Sequence, residues 1–195
     1  MLKIYQRIGK TMIKIYKSKI NGVLKIKYTK FKDKRGYFYE IYNKKKYQFS
    51  KSLTNFVQSN ISFSKKNVLR GLHFQYKNSQ SQLVSIISGK IYDVVVDLRI
   101  SSKTFMKYDS FTLSENSNSQ IFMPPGIAHG FVVLSENAIV NYEVNKSYDK
   151  MNECGLIWND KTLNIKWPIE KPIISKRDSK YKNFEDLLKE NKLPK

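Results

Sequence analysis

Histidine and cysteine are the scarcest chemistry-bearing residues of this 195-residue chain, with two of the first and one of the second. The single Cys154 excludes an internal disulfide and suits a reducing compartment. With only His73 and His129, and glutamine at position 75 in place of a His-x-His partner, a three-histidine metal centre cannot be built, so no metal is expected. Long apolar runs are missing too: no window approaches the roughly 20 residues of a membrane span, so no membrane association is expected. The opening MLKIYQRIGK is basic but has no continuous apolar stretch and no small-residue cleavage site, which reads against a secretory signal and for a cytoplasmic protein. Met12 offers a second start, and residues 1–11 are expected to be an extension outside the fold.

Acidic residues are also few, 16 against 36 basic, for a formal charge of +20 that comes almost wholly from lysine. Such a surface can bind nucleic acid by phosphate neutralisation. Here the lysines are scattered along the whole length, and no zinc-finger or RNP-type run accompanies them. A compositional bias with lysines on a solvated face accounts for them better, and a nucleic-acid partner is not expected. The positive field would still draw in a polyanionic small substrate.

What is present is a period of two in the apolar residues, the signature of half-buried strands. The stretch 91–99 shows it best, with Tyr92, Val94, Val96 and Leu98 on one face and Ile91, Asp93, Val95, Asp97 and Arg99 on the other. Two aspartates beside valine on one face suggest a polar lining, such as a barrel interior. Further strands are expected at 23–28, 37–42, 56–63, 83–87, 111–113, 120–123, 129–134 and 138–144. Turn chemistry separates them at short intervals, as in DKRG (33–36), SGK (88–90) and PPG (124–126). Helix is scarce; the best case is the C-terminus, where Asn183 can cap a turn with Phe184, Leu187 and Leu188 on one face. The pattern predicts one all-β domain over 1–195, a sandwich or barrel with a few short peripheral helices, mainly C-terminal.

Both histidines sit in runs suited to chemistry. In LRGLHFQ (69–75), alternation puts His73 on the face of Gly71 and Gln75, with Arg70, Leu72 and Phe74 opposite. In PPGIAHGF (124–131), a strand ends in a Pro/Gly turn and restarts towards His129, aiming that side chain into a barrel mouth. Histidine takes and gives protons near neutrality, so either is a candidate base. By itself, an isolated histidine is more often a core residue bonded to a carbonyl.

From about Gly22 to Asp178 the chain resembles the dTDP-4-dehydrorhamnose 3,5-epimerases, metal-independent cupin jelly rolls of nucleotide-sugar metabolism. The resemblance is carried by DKRGYFYE (33–40), FVQSN (56–60), SKKNVLRGLHFQ (64–75), SGKIYDVVVDLR (88–99), PPGIAHGFVVLS (124–135) and GLIWND (155–160). It implies a cupin jelly-roll barrel, no cofactor, a nucleotide-sugar substrate and a homodimer. It implies His73 as general base, Asp178 as the carboxylate paired with it, and Tyr142 as general acid on the other side of the sugar. Tyr148 falls at the position that stacks on the nucleotide base. Arg35, Glu40, Gln58, Ser59, Asn60, Arg70, His129, Glu153 and Arg177 fall at substrate-binding positions. Without the resemblance, Tyr142 is one of thirteen tyrosines and Asp178 one carboxylate after a basic run.

These residue types suit one reaction. A 4-keto sugar has acidified protons at C3 and C5, because the carbonyl delocalises the carbanion as an enolate. A base on one face removes a proton and an acid on the other returns one, inverting the centre. The implied activity is conversion of dTDP-4-dehydro-6-deoxyglucose to dTDP-4-dehydrorhamnose for a surface polysaccharide. One departure stands out: the lysine usual near the sugar carbonyl is Gln82 here, in QSQLV (80–84), and the loop before it is one residue shorter. A neutral donor is weaker than a charged one. The competing readings are therefore a C3- or C5-only epimerase or a ketoisomerase on another nucleotide sugar, for example a GDP-linked one, and, from a different class, a basic nucleic-acid-binding module.

Overall fold

The computed structural model describes residues 3–8, 11–48, 53 and 55–194. Strands dominate. They are β1 (Lys3–Ile8), β2 (Thr11–Lys17), β3 (Leu24–Lys27), β4 (Phe31–Asp33), β5 (Gly36–Phe38) and β6 (Gln58–Lys65). Next come β7 (Leu69–Gln75), β8 (Gln82–Asp97), β9 (Tyr108–Ser114), β10 (Ser119–Met123), β11 (Ile127–Val144) and β12 (Glu153–Gly155). A short helix, α1 (Phe184–Lys189), closes the chain. No helix among the described residues is long and apolar enough to cross a membrane.

The two long strands, β8 and β11, pair antiparallel along almost their whole length and each serves both halves of a bent sheet. Residues 82–85 of β8 pair with β10, whereas 90–96 pair with β9. Likewise β11 pairs with β7 near its start and with β6 over 137–144. One half thus runs β1-β2-β3-β10-β8-β11-β6 and the other β9-β8-β11-β7-β12. The corner falls at Gly89, where the β8–β11 register shifts between Val133 and Ala138. Gly89 has φ +84°, and a Cβ there would lie 2.2 Å from the Asn137 carbonyl oxygen, so the two backbones meet where no side chain fits. The result is an all-β jelly roll.

Alternation then decides the packing. Ile91 and Val95 of β8 join Ile121, Met123, Ile127, Phe131 and Val140 in the core between the halves. Val94, Val96 and Leu98 face outward, and the C-terminal segment covers them with Leu156, Leu163, Phe184 and Leu187. A third apolar layer joins Ile13, Ile15, Ile26, Leu83 and Phe122 to Tyr47 and Leu53.

Within residues 1–11, β1 pairs with β2 from Lys3↔Tyr16 to Ile8↔Thr11 and stands at the end of the sheet. The stretch 37–42 yields only the short β5, paired with β4 in a separate hairpin that exposes Phe31, Tyr37 and Phe38. Asn183 caps α1 as expected, its side chain accepting from the Asp186 N–H at 2.9 Å. Phe184 and Leu187 are buried, but Leu188 is 46% exposed, because a helix this short buries only its i, i+3 pair.

Replacing Gly89 by alanine is expected to cost about 1–3 kcal/mol or more, since it strains a left-handed residue and forces the corner apart. Thermal unfolding of Gly89→Ala, with a drop of several degrees, is the check; an unchanged Tm would show that the corner tolerates a side chain.

Candidate active site

The β7–β11 register carries the first departure from simple alternation. His73 pairs with His129 and Arg70 with Phe131, so three steps on β7 oppose two on β11. This bulge centres on Gly71, whose φ is +121° and whose Cβ would sit 2.5 Å from the Gly130 Cα. Arg70, expected on the face opposite His73, is turned by the extra residue into the same cleft. Its guanidinium is steadied by the Ser64 Oγ at 2.8 Å and the Phe63 carbonyl at 3.2 Å.

His73 Nε2 lies 3.1 Å from the Asp178 Oδ1, with the imidazole 30% exposed and the carboxylate only 4%. The other oxygen, Oδ2, accepts the Gly71 N–H at 3.2 Å, and Arg177 Nε reaches Oδ1 at 3.4 Å. Burial opposes ionisation of Asp178, but the hydrogen bond and charge of His73 together with the Gly71 amide outweigh it and hold the carboxyl down at about 2. An ionised carboxylate only accepts, so the proton of a neutral imidazole is on Nε2 and the lone pair on Nδ1 is the free one.

His129 forms a second such pair, Nε2 to Asp93 Oδ2 at 2.6 Å, but this one is buried on both sides. Asp93 comes from the interior face of β8, where alternation placed it. The His129 ring meets Tyr142 edge-on at 6.2 Å. Tyr142 contacts the Ser62 hydroxyl at 3.1 Å, and burial pushes its phenol well above the ordinary value, so it stays protonated at neutral pH.

His73, Tyr142, Arg70, Gln82, His129 and Arg177 line one lobe of a cleft, of about 290 Å³, together with Asn60 and Ser62. A second lobe of about 110 Å³ shares His73, Gln80 and Gln82 and adds Tyr148 and Glu153. At its rim Glu153 Oε2 accepts from the Tyr148 hydroxyl at 2.6 Å and from Arg177 Nη1 at 2.9 Å. Gln58 Oε1 accepts the Tyr148 N–H at 3.0 Å, while Gln58 Nε2 donates to Asn60 Oδ1 at 2.8 Å.

Three expected residues are not brought to this cleft. Ser59 faces away, its hydroxyl bonded to Asn141 and Glu143, because on β6 the cleft takes the parity of Asn60 and Ser62. Arg35 sits on the β4–β5 turn, 83% exposed and paired with Asp33. Glu40 is tied to Asn43 and Lys46 in the layer below. Conversely, Ser62, Gln80 and Asp93 belong to the site without having been singled out as site residues. The alternation of β8 was the available signal for Asp93, and that of β6, counted on from Gln58 and Asn60, for Ser62; nothing local marks Gln80.

A jelly roll whose mouth holds a carboxylate-oriented histidine and a buried phenol defines an acid–base enzyme of the cupin class. Residues 17–186 match the family model of dTDP-4-dehydrorhamnose 3,5-epimerase. The curated protein of that name from Shigella flexneri is 41% identical over 174 residues, 88% of this chain and 96% of that one. The crystal structure of the dTDP-4-dehydrorhamnose 3,5-epimerase of Elizabethkingia anophelis superposes with a TM-score of 0.83 at 43% identity, over 89% of this chain and 97% of the other. The dTDP-6-deoxy-D-glucose-3,5-epimerase of Legionella pneumophila, solved with dTDP-4-keto-L-rhamnose, gives 0.88 at 36% identity, over 94% and 98%. The chain belongs to the dTDP-4-dehydrorhamnose 3,5-epimerase family and is an isomerase-class epimerase.

Because the Asp178 carboxyl is held at about 2, below its ordinary 3.8, it contributes stability that is complete above the ordinary value and disappears as pH falls through 2. A shift of this size corresponds to about 2 kcal/mol. Wild-type Tm is therefore expected to fall more steeply than that of Asp178→Asn between pH 4 and pH 2. Parallel curves in that window would show that the carboxylate is not stabilised in its charged form.

Proposed function

We propose that this chain inverts C3 and C5 of a dTDP-linked 4-keto-6-deoxy sugar, converting dTDP-4-dehydro-6-deoxyglucose to dTDP-4-dehydrorhamnose. The observation that carries the reading is the single cleft in which His73, backed by an ionised Asp178, and a protonated Tyr142 come from different halves of the bent sheet. His73 Nδ1 takes the proton next to the carbonyl, and the C–H electrons move onto the C4 oxygen as an enolate. The imidazolium so formed is stabilised by Asp178. Tyr142 returns a proton to the same carbon from the opposite face, the carbonyl re-forms, the phenolate is reprotonated from solvent and the imidazolium releases its proton to solvent. Arg70 and Gln82 line the lobe where the enolate charge develops and supply its donors, and His129 shapes its wall. Tyr148 stacks on the nucleobase, and Glu153 and Arg177 hold the rim of the nucleotide lobe.

The same proposal makes the protein a cytoplasmic homodimer whose product feeds a surface polysaccharide. The apolar side chains exposed on the β4–β5 hairpin support association with a second copy, and that hairpin carries Arg35 away from its own cleft. No nucleic-acid role is proposed for the scattered lysines. A second reading, epimerisation at one centre or ketoisomerisation of another nucleotide sugar, is favoured by Gln82, which lines both lobes with a neutral amide.

A panel of 4-keto-6-deoxy nucleotide sugars in deuterated water, followed by NMR, reports substrate, position and number of exchanges together. His73→Asn is expected to lower exchange by about 100-fold or more while substrate binding stays within several-fold. Exchange at the wild-type rate would remove His73 as the base. Tyr142→Phe separates the two half-reactions: exchange persists while net inversion falls, and equal loss of both would show that Tyr142 is not a dedicated acid. Gln82→Lys should raise turnover on the dTDP substrate roughly tenfold, about 1.4 kcal/mol, without changing which centres exchange. A fall in turnover would favour a site rebuilt for a different sugar.

A further inference from the structure

Tyr181 closes the 3-10 turn that carries Asp178, its N–H donating to the Asp178 carbonyl. The next residue, Lys182, bridges to Leu156, and the Ile157 N–H donates to the Lys182 carbonyl at 2.9 Å. The backbone of Tyr181 is therefore held on both sides. Its ring lies over Gly155 of β12 so closely that a Cβ there would come within 2.2 Å of Cε2 and 2.3 Å of Cδ2. Gly155 is the strand partner of His73, and from this slot the Tyr181 ring meets the His73 imidazole edge-on, with centroids 5.7 Å apart at 77°. The Tyr181 hydroxyl is buried and has no hydrogen-bond partner among the described residues.

We infer that Tyr181 is a positioning residue for the reaction: its ring, wedged over Gly155, fixes the plane of the His73 imidazole so that Nδ1 stays aimed into the cleft. The inference rests on His73 being the base. One hydrogen bond to Asp178 anchors Nε2 but leaves the ring free to swing about that contact. An edge-on aromatic neighbour on a clamped backbone removes the freedom. Misplacement of a reacting group by about 1 Å can lower a rate by the order of 100-fold, so a wedge that touches no substrate still acts on turnover. The unpartnered hydroxyl has no part in this, and the ring alone carries the effect.

The test is steady-state kinetics of folded variants on the dTDP-linked 4-keto sugar, with deuterium exchange as the second readout. Tyr181→Phe should keep kcat within about two-fold. Tyr181→Leu should lower kcat about tenfold with KM within about two-fold, since the nucleotide contacts are untouched. Gly155→Ala pushes the ring out of its slot and should lower kcat similarly in the wild type, yet add nothing in the Tyr181→Leu background. Non-additivity of this kind is not produced by two independent structural defects. The inference is overturned if Tyr181→Leu retains kcat, if Tyr181→Phe loses as much as Tyr181→Leu, or if the Gly155 and Tyr181 losses multiply. Loss of exchange in His73→Asn with full exchange in Tyr181→Leu overturns the positioning role alone. Full exchange in both variants overturns the assignment of His73 as base.

Discussion

Burying a carboxylate is costly unless donors meet it, and the placement of Asp178 is where fold and site meet. An isolated charge at 4% exposure would cost several kcal/mol, and here the cost is offset only because the Gly71 amide, His73 and Arg177 all point at it. Each of those donors depends on something else. The Gly71 amide is available because β7 bulges there, and the bulge needs a residue without Cβ against Gly130. The 3-10 turn that bears Asp178 reaches β7 because the C-terminal segment packs Leu156, Leu163, Phe184 and Leu187 onto the outer face of β7, β8 and β11. The apolar layer that stabilises the back of the sheet thereby delivers the carboxylate to its front.

The bend of β8 and β11 does the complementary work. A flat ladder would place His73 and Tyr142 on one continuous sheet. Folded at Gly89 and at the matching break in β11, it sets them on different halves that share a cleft. The proposed inversion asks for acid and base on opposite faces of a planar enolate, and two halves that share a cleft can supply them. The same bend buries Tyr142, and burial keeps its phenol a proton donor.

Two histidine–aspartate pairs with the same chemistry differ by environment. His73 is 30% exposed and lines the cleft, whereas His129 is 6% exposed and clasps a fully buried Asp93. Access, rather than residue type, separates the histidine proposed as the base from a polar group that shapes the wall. At the rim, the Tyr148–Glu153–Arg177 contacts are partly solvated and add little stability. What they contribute is orientation, by holding the Tyr148 side chain at the edge of the second lobe.

Strand content, the inward face of β8 and the Asn183 cap were legible because they depend on neighbours one to four residues away. The run around His73 and the ordered motifs from Gly22 to Asp178 likewise marked the family from the chain alone. Alternation failed at Arg70, since a bulge is decided by what lies across the ladder and not by the strand's own pattern. It could not bring Asp178 to His73, 105 residues apart, or show that Ser59 turns its back on the cleft while Asn60 faces it. Nor could it single out Tyr181, whose significance comes from a glycine on another strand. Local sequence determined which residues could do proton chemistry and which faces would be apolar. Only the tertiary structure decided which of them meet, because contacts between distant segments follow from how the bent sheet and its C-terminal cover pack together.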